Sequence, residues 1–240
     1  MDSASPAVSE RKRLGAWYTP PDLVDLIVGE VVAPSFVRSV GDRPLRVLDP
    51  ACGDGRFLRA VAERVSSLGA DCRLVGVDVD RAAADRARRE VDDAHVVVAD
   101  ALSRDWDGER FDLVIGNPPF LSQMAAATSR GGSSDLGGGP YADAAAEFLA
   151  LASQLVEPDG GRVAFVLPQS ILAARDAAEV RARYDERSEM VWSWWSDERV
   201  FDAGVFTCAL AFEFDPTRTA PAGATWSHVV ASRRSVPPLP

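Results

Sequence analysis

The chain predicts an α/β fold: a mostly parallel, seven-stranded sheet with helices on both faces and an antiparallel pair at one edge. Three observations carry this. Short apolar runs alternate with amphipathic stretches of helix length, and no hairpin turn joins them in the first half. The first three runs each end in an aspartate, Asp49, Asp78 and Asp100, where a parallel strand hands over to a ligand-facing loop. The runs Met190–Trp195 and Thr207–Phe214 are joined by a short link through Gly204, too short for a crossover and right for an antiparallel pair.

In chain order, residues 1–13 read as a flexible segment, followed by a domain over 14–232. Pro20-Pro21-Asp22 opens an amphipathic helix through Leu23, Val24, Leu26, Ile27 and Val31, because proline is tolerated in a first turn where its missing N–H costs nothing. Arg46-Val47-Leu48 is the first strand. A helix over 56–68 follows, with Phe57, Leu58, Val61, Val65 and Leu68 on one side. Residues 73–77 form the second strand, a charged, alanine-rich helix runs over 81–91, and 94–99 form the third strand. The run Phe111–Gly116 is the fourth, apolar enough to be covered on both faces. A helix over 144–156, a fifth strand over 163–167 and a helix over 171–183 precede the edge pair. Trp226–Val230 adds a candidate last strand, and 233–240 read as a proline-rich linker.

Composition excludes several classes. With 26 Lys and Arg against 36 Asp and Glu, the net charge is −10, which opposes broad charge-driven binding to nucleic acid by this chain alone. The basic cluster Arg11-Lys12-Arg13 and the loop carrying Arg130 remain local candidates for phosphate contact. No apolar run is long enough to span a membrane, and the first residues lack the apolar core of a secretory signal. Cys52, Cys72 and Cys208 are odd in number and sit in apolar or glycine-rich settings, as free thiols of a cytoplasmic protein do. His95 and His228 lie far from any cysteine pair, so no metal site is expected.

The chemistry concentrates at strand ends. Asn117-Pro118-Pro119-Phe120 follows the fourth strand. Two prolines hold the backbone and its carbonyls in place, Asn117 offers a donor and an acceptor, and Phe120 offers a ring face. That set suits a planar amine. Asp49-Pro50-Ala51-Cys52-Gly53-Asp54-Gly55 turns from the first strand into a helix. Gly53 and Gly55 allow close approach of a ligand to backbone, the helix start suits a carboxylate, and Asp49 suits an ammonium group. Asp78 is placed to hold ribose hydroxyls and Asp100 an adenine amine, although both also fit a role as helix caps. The segment 121–140, with Gly131-Gly132 and Gly137-Gly138-Gly139, reads as a mobile loop over this site.

These segments resemble a known family. DPACGDGRFL at 49–58, GVDVD at 76–80, AD at 99–100 and NPPF at 117–120, with Tyr18-Thr19-Pro20 ahead of them, are similar to the S-adenosylmethionine-dependent N6-adenine DNA methyltransferases. The resemblance covers roughly 11–215 and implies a class I methyltransferase-like Rossmann fold. It implies that Tyr18, Thr19 and Pro20 flank the methionine part of the cofactor, with Asp49, Ala51, Gly53 and Gly55 shaping that region. Asp78 would hold the ribose and Asp100 the cofactor adenine. Asn117 and the Pro118 carbonyl would hold the target amine, Phe120 would stack on the target base, and Phe201 resembles the second aromatic that sandwiches it. Where the family carries a large apolar residue after the third-strand acid, this chain has Ala101, leaving Leu102, Phe120 or Val79 to stack. The resemblance also implies DNA containing a target adenine as partner and a target-recognition domain or specificity subunit that this chain does not supply. An RNA adenine or a protein glutamine would suit the same clamp, and a degenerate fold used in assembly is the non-enzymatic alternative.

Overall fold

The computed structural model describes residues 19–120, 144–196 and 206–218. Its elements are α1 (Pro21–Val31), α2 (Pro34–Ser39), β1 (Leu45–Asp49), α3 (Arg56–Ser67), β2 (Cys72–Asp78), α4 (Arg81–Glu90) and β3 (His95–Val98). They continue with β4 (Leu113–Gly116), α5 (Ala144–Leu155), β5 (Arg162–Pro168), α6 (Ala178–Arg187), β6 (Ser188–Trp195) and β7 (Thr207–Phe214). The sheet order is β3-β2-β1-β4-β5-β7-β6. Only β7 runs against the others, pairing antiparallel with both β5 and β6. The seven-stranded α/β sheet with an antiparallel edge pair is the architecture that the strand pattern predicts.

The chain steps outward from β1 to β3 and then returns to the other side of β1 as β4. That reversal makes the C-terminal ends of β1 and β4 a topological switch point, where open α/β sheets bind their ligands. Each sheet face is covered. On one side α1 to α4 pack through Leu23, Ile27, Phe36, Phe57, Leu58 and Ala84 onto Val47, Leu74, Leu113 and Ile115. On the other, α5 and α6 pack through Leu149, Ala152 and Tyr184 onto Leu48, Val114, Val163 and Phe212. Tyr184 is wholly buried, donates to the Leu149 carbonyl at 2.9 Å and meets the Phe212 ring edge-on. None of the described helices is long and apolar enough to cross a membrane.

Some expectations change. The short helix α2 was not expected; Pro34 starts it in the N1 position and it buries Phe36 and Val37. The helix expected over 171–183 begins only at Ala178, after two 3-10 turns, Gln169–Leu172 and Arg175–Ala177. The reason is tertiary. The Gln169 N–H is committed to the Phe206 carbonyl at 2.9 Å. Arg181 spans the turns with its guanidinium, donating to the carbonyls of Ile171 and Ala174, each at 2.8 Å. In the fourth strand, Phe111 makes only an isolated bridge to Val156, and the strand proper starts at Leu113. The expectations for 1–13, 121–140, Trp226–Val230 and 233–240 lie outside the described residues, as do both ends of the 14–232 domain.

The N-terminal edge of the sheet is fastened by Asp112. Its carboxylate accepts from both Arg43 Nη atoms at 2.6 Å and from the Arg46 N–H at 2.8 Å. Its backbone accepts from the Arg162 N–H and donates to the Arg46 carbonyl, so one residue joins the starts of β1, β4 and β5. Burial opposes ionisation of Asp112, but the Arg43 guanidinium and the Arg46 N–H outweigh it and hold the carboxyl below its usual range. The stability this contributes is present above the ordinary carboxylate pKa and is lost as pH falls through the lowered folded value. Asp112→Asn is therefore expected to destabilise the fold by about 1–3 kcal/mol at pH 7. The upper end of that range is discounted because Arg43 is half-exposed. The difference should shrink at pH 3, as read from urea unfolding at both pH values.

Candidate functional site

The turn from β1 into α3 is built by backbone hydrogen bonds. The Ala51 N–H donates to Asp49 Oδ1 at 3.1 Å, and the Cys52 N–H donates to the Val77 carbonyl at 2.9 Å. The Gly53 N–H donates to Asp78 Oδ2 at 2.8 Å and the Gly55 N–H to the Cys52 carbonyl at 2.8 Å. Gly55 caps α3 in the left-handed region, φ 85°. A Cβ there would lie 2.9 Å from Val91 Cγ2 and 3.1 Å from Ala87 Cβ, so only glycine lets the loop close on α4. The loop thus takes its shape from β2 as much as from its own residues.

The predicted acids gather along one edge. β3, β2, β1 and β4 are neighbours and parallel, so Asp100, Asp78, Asp49 and Asn117 lie at adjacent strand ends. Asp78 accepts from the Asp80 N–H through Oδ1 as well as from Gly53 through Oδ2, each at 2.8 Å. Each oxygen keeps one lone pair for a ligand hydroxyl. Asp100 accepts from the Leu102 N–H at 3.0 Å, and the Ala99 N–H ties the end of β3 to the Asp78 carbonyl at 3.0 Å. Ala101 turns into the core, and its carbonyl accepts from the Trp106 indole at 3.0 Å. Of the three stacking candidates, Leu102 and Phe120 are half-buried and packed against the core, whereas Val79 stands 58% exposed at the end of β2.

The Asp49 carboxylate lies close to the residue that precedes the clamp. Asp49 is buried, and a Cβ added to Gly116 would lie 2.5 Å from its Oδ1. The carboxylate therefore rests against the backbone immediately before Asn117. Pro118 is buried, Asn117, Pro119 and Phe120 are half-buried, and the Phe120 ring touches the cores of both sheet faces. It is anchored at the edge where those faces meet rather than free in solvent. Thr19 is buried and Pro20 half-buried before α1. The Thr19 carbonyl accepts from Arg56 Nη1 at 3.2 Å, and the same guanidinium pairs with Asp54 at 3.0 Å. Arg56 thereby stitches the start of α1 to the glycine loop, a role that no local pattern announces. Tyr18 and Phe201 lie outside the described residues.

The electrostatics favour a cation. Burial pushes the Asp49 carboxyl up to about 8, with the Ala51 N–H opposing and Asp78 and Asp54 adding to the rise. Burial likewise raises Asp78 against the N–H groups it accepts, and Asp80 adds to the rise. A buried acid beside like charges is stabilised by a positive group placed next to it. Burial, then Asp49 and Asp78, also push the Cys52 thiol up. It stays protonated and serves as a packed side chain, not a nucleophile. Among the described residues no group of His, Cys, Asp and Glu is arranged to hold a metal ion.

Both the sequence and the fold match known proteins. A family model described as N-6 DNA Methylase matches residues 4–185. The type II methyltransferase M.TthHB8I of Thermus thermophilus is 42% identical over 116 residues, which are 48% of this chain and 23% of that protein. The tRNA1(Val) (adenine(37)-N6)-methyltransferase of Aeromonas salmonicida is 30% identical over 151 residues, 58% of each chain. Among solved structures, the type I restriction-modification methyltransferase subunit from Streptococcus thermophilus superposes with a TM-score of 0.65 at 16% identity. The overlap spans 96% of this chain and 58% of that one, and at that identity it shows the fold. The chain spans about a quarter of the length of the type II relatives it matches.

Two substitutions probe the contact. Asp49 has a raised folded pKa, so its contribution to stability is full below the unfolded value and is lost as pH rises through about 8. Asp49→Asn is expected to stabilise the ligand-free protein increasingly from pH 4 to pH 8, by roughly 1–3 kcal/mol at the upper end. Thermal melts across that range check it. Gly116→Ala, which drives a methyl into the Asp49 carboxylate, is expected to cost about 1–3 kcal/mol; a melting temperature equal to the wild type would show that the contact yields.

Proposed function

Because the chain belongs to the N-6 DNA methylase family, we propose that it transfers a methyl group from S-adenosylmethionine to the N6 amine of an adenine in DNA. The single observation that carries this reading is the contact of Asp49 with the backbone at Gly116, just ahead of Asn117. It brings a buried acid suited to a cationic ligand against the clamp suited to a planar amine.

The residues present fit S-adenosylmethionine. Asp49 is held above the ordinary carboxylate range, as expected of an acid awaiting a cation, and each Asp78 oxygen accepts one N–H and keeps a lone pair for a hydroxyl. In this reading Thr19, Pro20, Asp49, Ala51, Gly53 and Gly55 surround the methionine part, with Tyr18 beside them. Asp78 holds the ribose, Asp100 the adenine, and exposed Val79 covers the adenine face. The chemistry the cofactor supplies is an electrophilic methyl group on a sulfonium.

The remainder belongs to the chain. An adenine N6 is a weak nucleophile because its lone pair is delocalised into the ring. Asn117 Oδ1 and the Pro118 carbonyl accept its two N–H bonds and favour a more tetrahedral nitrogen. Prolines on both sides of that carbonyl keep it from swinging away. Phe120, and Phe201 from the β6–β7 connection, stack on the base, which must leave the duplex to reach them. Rate enhancement then comes from positioning and electrostatics. With a net charge of −10, the chain draws on a target-recognition domain or specificity subunit to select its site on duplex DNA. A cytoplasmic role in restriction-modification or phage defence accords with that arrangement.

The likeness to a tRNA adenine methyltransferase supports a second reading, methylation of RNA. Labelled methyl transfer to DNA, RNA and protein fractions separates the two, and N6-methyladenine is expected in nucleosides digested from DNA. Label in RNA or protein alone would sink the DNA reading, and failure to bind S-adenosylmethionine would favour a non-catalytic assembly role. Asn117→Ala is expected to lower kcat roughly 100-fold or more with cofactor affinity unchanged. Asp78→Asn is expected to weaken cofactor binding roughly tenfold, as read by calorimetry.

A further inference from the structure

Three large apolar side chains stand exposed among the described residues: Val79, Val191 and Phe206. Val191 lies on edge strand β6. The other two lie at the edge that carries the site. Val79 follows the end of β2, and Phe206 precedes the start of β7. Because β7 runs antiparallel to β5, its start lies beside the C-terminal end of β5, on the same edge as Asn117. In the order β2-β1-β4-β5-β7, Val79 and Phe206 flank β4 at two strands on either side. Two strand spacings are roughly 10 Å.

Phe206 is also rigidly mounted. Its carbonyl accepts from the Gln169 N–H at 2.9 Å. The Gln169 side-chain amide donates to the carbonyls of Thr207 at 3.1 Å and Ser196 at 2.9 Å. Thr207 itself is wholly buried and pairs with Pro168. The end of β6, the start of β7 and the end of β5 are thus joined by one side chain. An aromatic residue left 48% exposed on a backbone held by these bonds is a preorganised stacking surface rather than a frayed end.

Resting on the methyl-transfer reading, we propose that Phe206 is a nucleobase-stacking residue on the acceptor side of the site, held in place by Gln169. Its distance from the clamp exceeds one base stack. Its ligand is therefore the base next to the target adenine in the same strand, and not the base held by Asn117. Stacking of this kind accepts any base, because every base has a π face. It steadies the strand from which the adenine is drawn without reading sequence.

The test uses the full chain and a single-stranded oligonucleotide with 2-aminopurine beside one adenine, so that no recognition sequence or base flipping is required. The wild type is expected to quench the 2-aminopurine on binding. Phe206→Leu should lose most of the quenching and bind roughly tenfold more weakly, Phe206→Trp should retain both, and Gln169→Leu should lose part of each. S-adenosylmethionine affinity and melting temperature should match the wild type in both Phe206 variants. A wild type that binds cofactor but does not quench overturns the inference alone. So does a Phe206→Leu variant that quenches and binds as the wild type does. A wild type that binds no cofactor counts instead against the methyl-transfer reading beneath it.

Discussion

The arrangement of the site depends on one close approach: the Asp49 carboxylate lying against the bare Cα of Gly116. β1 and β4 are neighbours only because the chain reverses direction across the sheet at that point. A side chain on Gly116 would hold the two strand ends apart. Without it, the turn that follows β1 and the prolines that follow β4 share one wall. The acid at the end of β1 is buried, and its raised pKa follows chiefly from that burial.

Opposite ends of this sheet use aspartate in opposite ways. At the N-terminal edge Asp112 meets Arg43 and the Arg46 N–H and is held ionised. At the C-terminal edge Asp49 and Asp78 meet backbone N–H groups, and Asp54, Asp78 and Asp80 supply further negative charge. The first arrangement lowers the free energy of the folded chain. The second raises it in the absence of a cationic ligand, and a protein tolerates such an arrangement where binding later relieves it. The fold is thus fastened where nothing binds and left electrostatically unsatisfied where a ligand is expected.

Beyond β4, the same edge is organised by strand ends rather than by acids. Gln169 follows β5 directly and binds carbonyls at the end of β6 and the start of β7. The two turns that replace the start of the expected helix keep this amide in place, and Arg181 braces them from behind. The two halves of this edge are therefore built from different materials on one sheet: buried carboxylates on β1 and β2, and apolar and amide groups on β4, β5 and β7.

Much of this was legible in the residues themselves. Strand and helix order follows from the period of apolar residues, and the strand-end acids, Gly53, Gly55 and the run Asn117–Phe120 are short-range patterns that a linear reading captures. The resemblance drawn from them agrees with the family match over residues 4–185. What the sequence could not show are contacts between residues far apart in the chain. Asp112 meets Arg43, Asp49 meets Gly116, Arg56 reaches the Thr19 carbonyl, and Gln169 spans Ser196 and Thr207. The same holds for Ala101, whose side chain turns inward beside Trp106, and for the helix that starts late because its first residues bind another strand. Local pattern determined which groups the chain brings to the sheet's edge. Which of them touch was decided only by the order in which the strands lie side by side, because that order sets the distance between groups that the sequence holds apart.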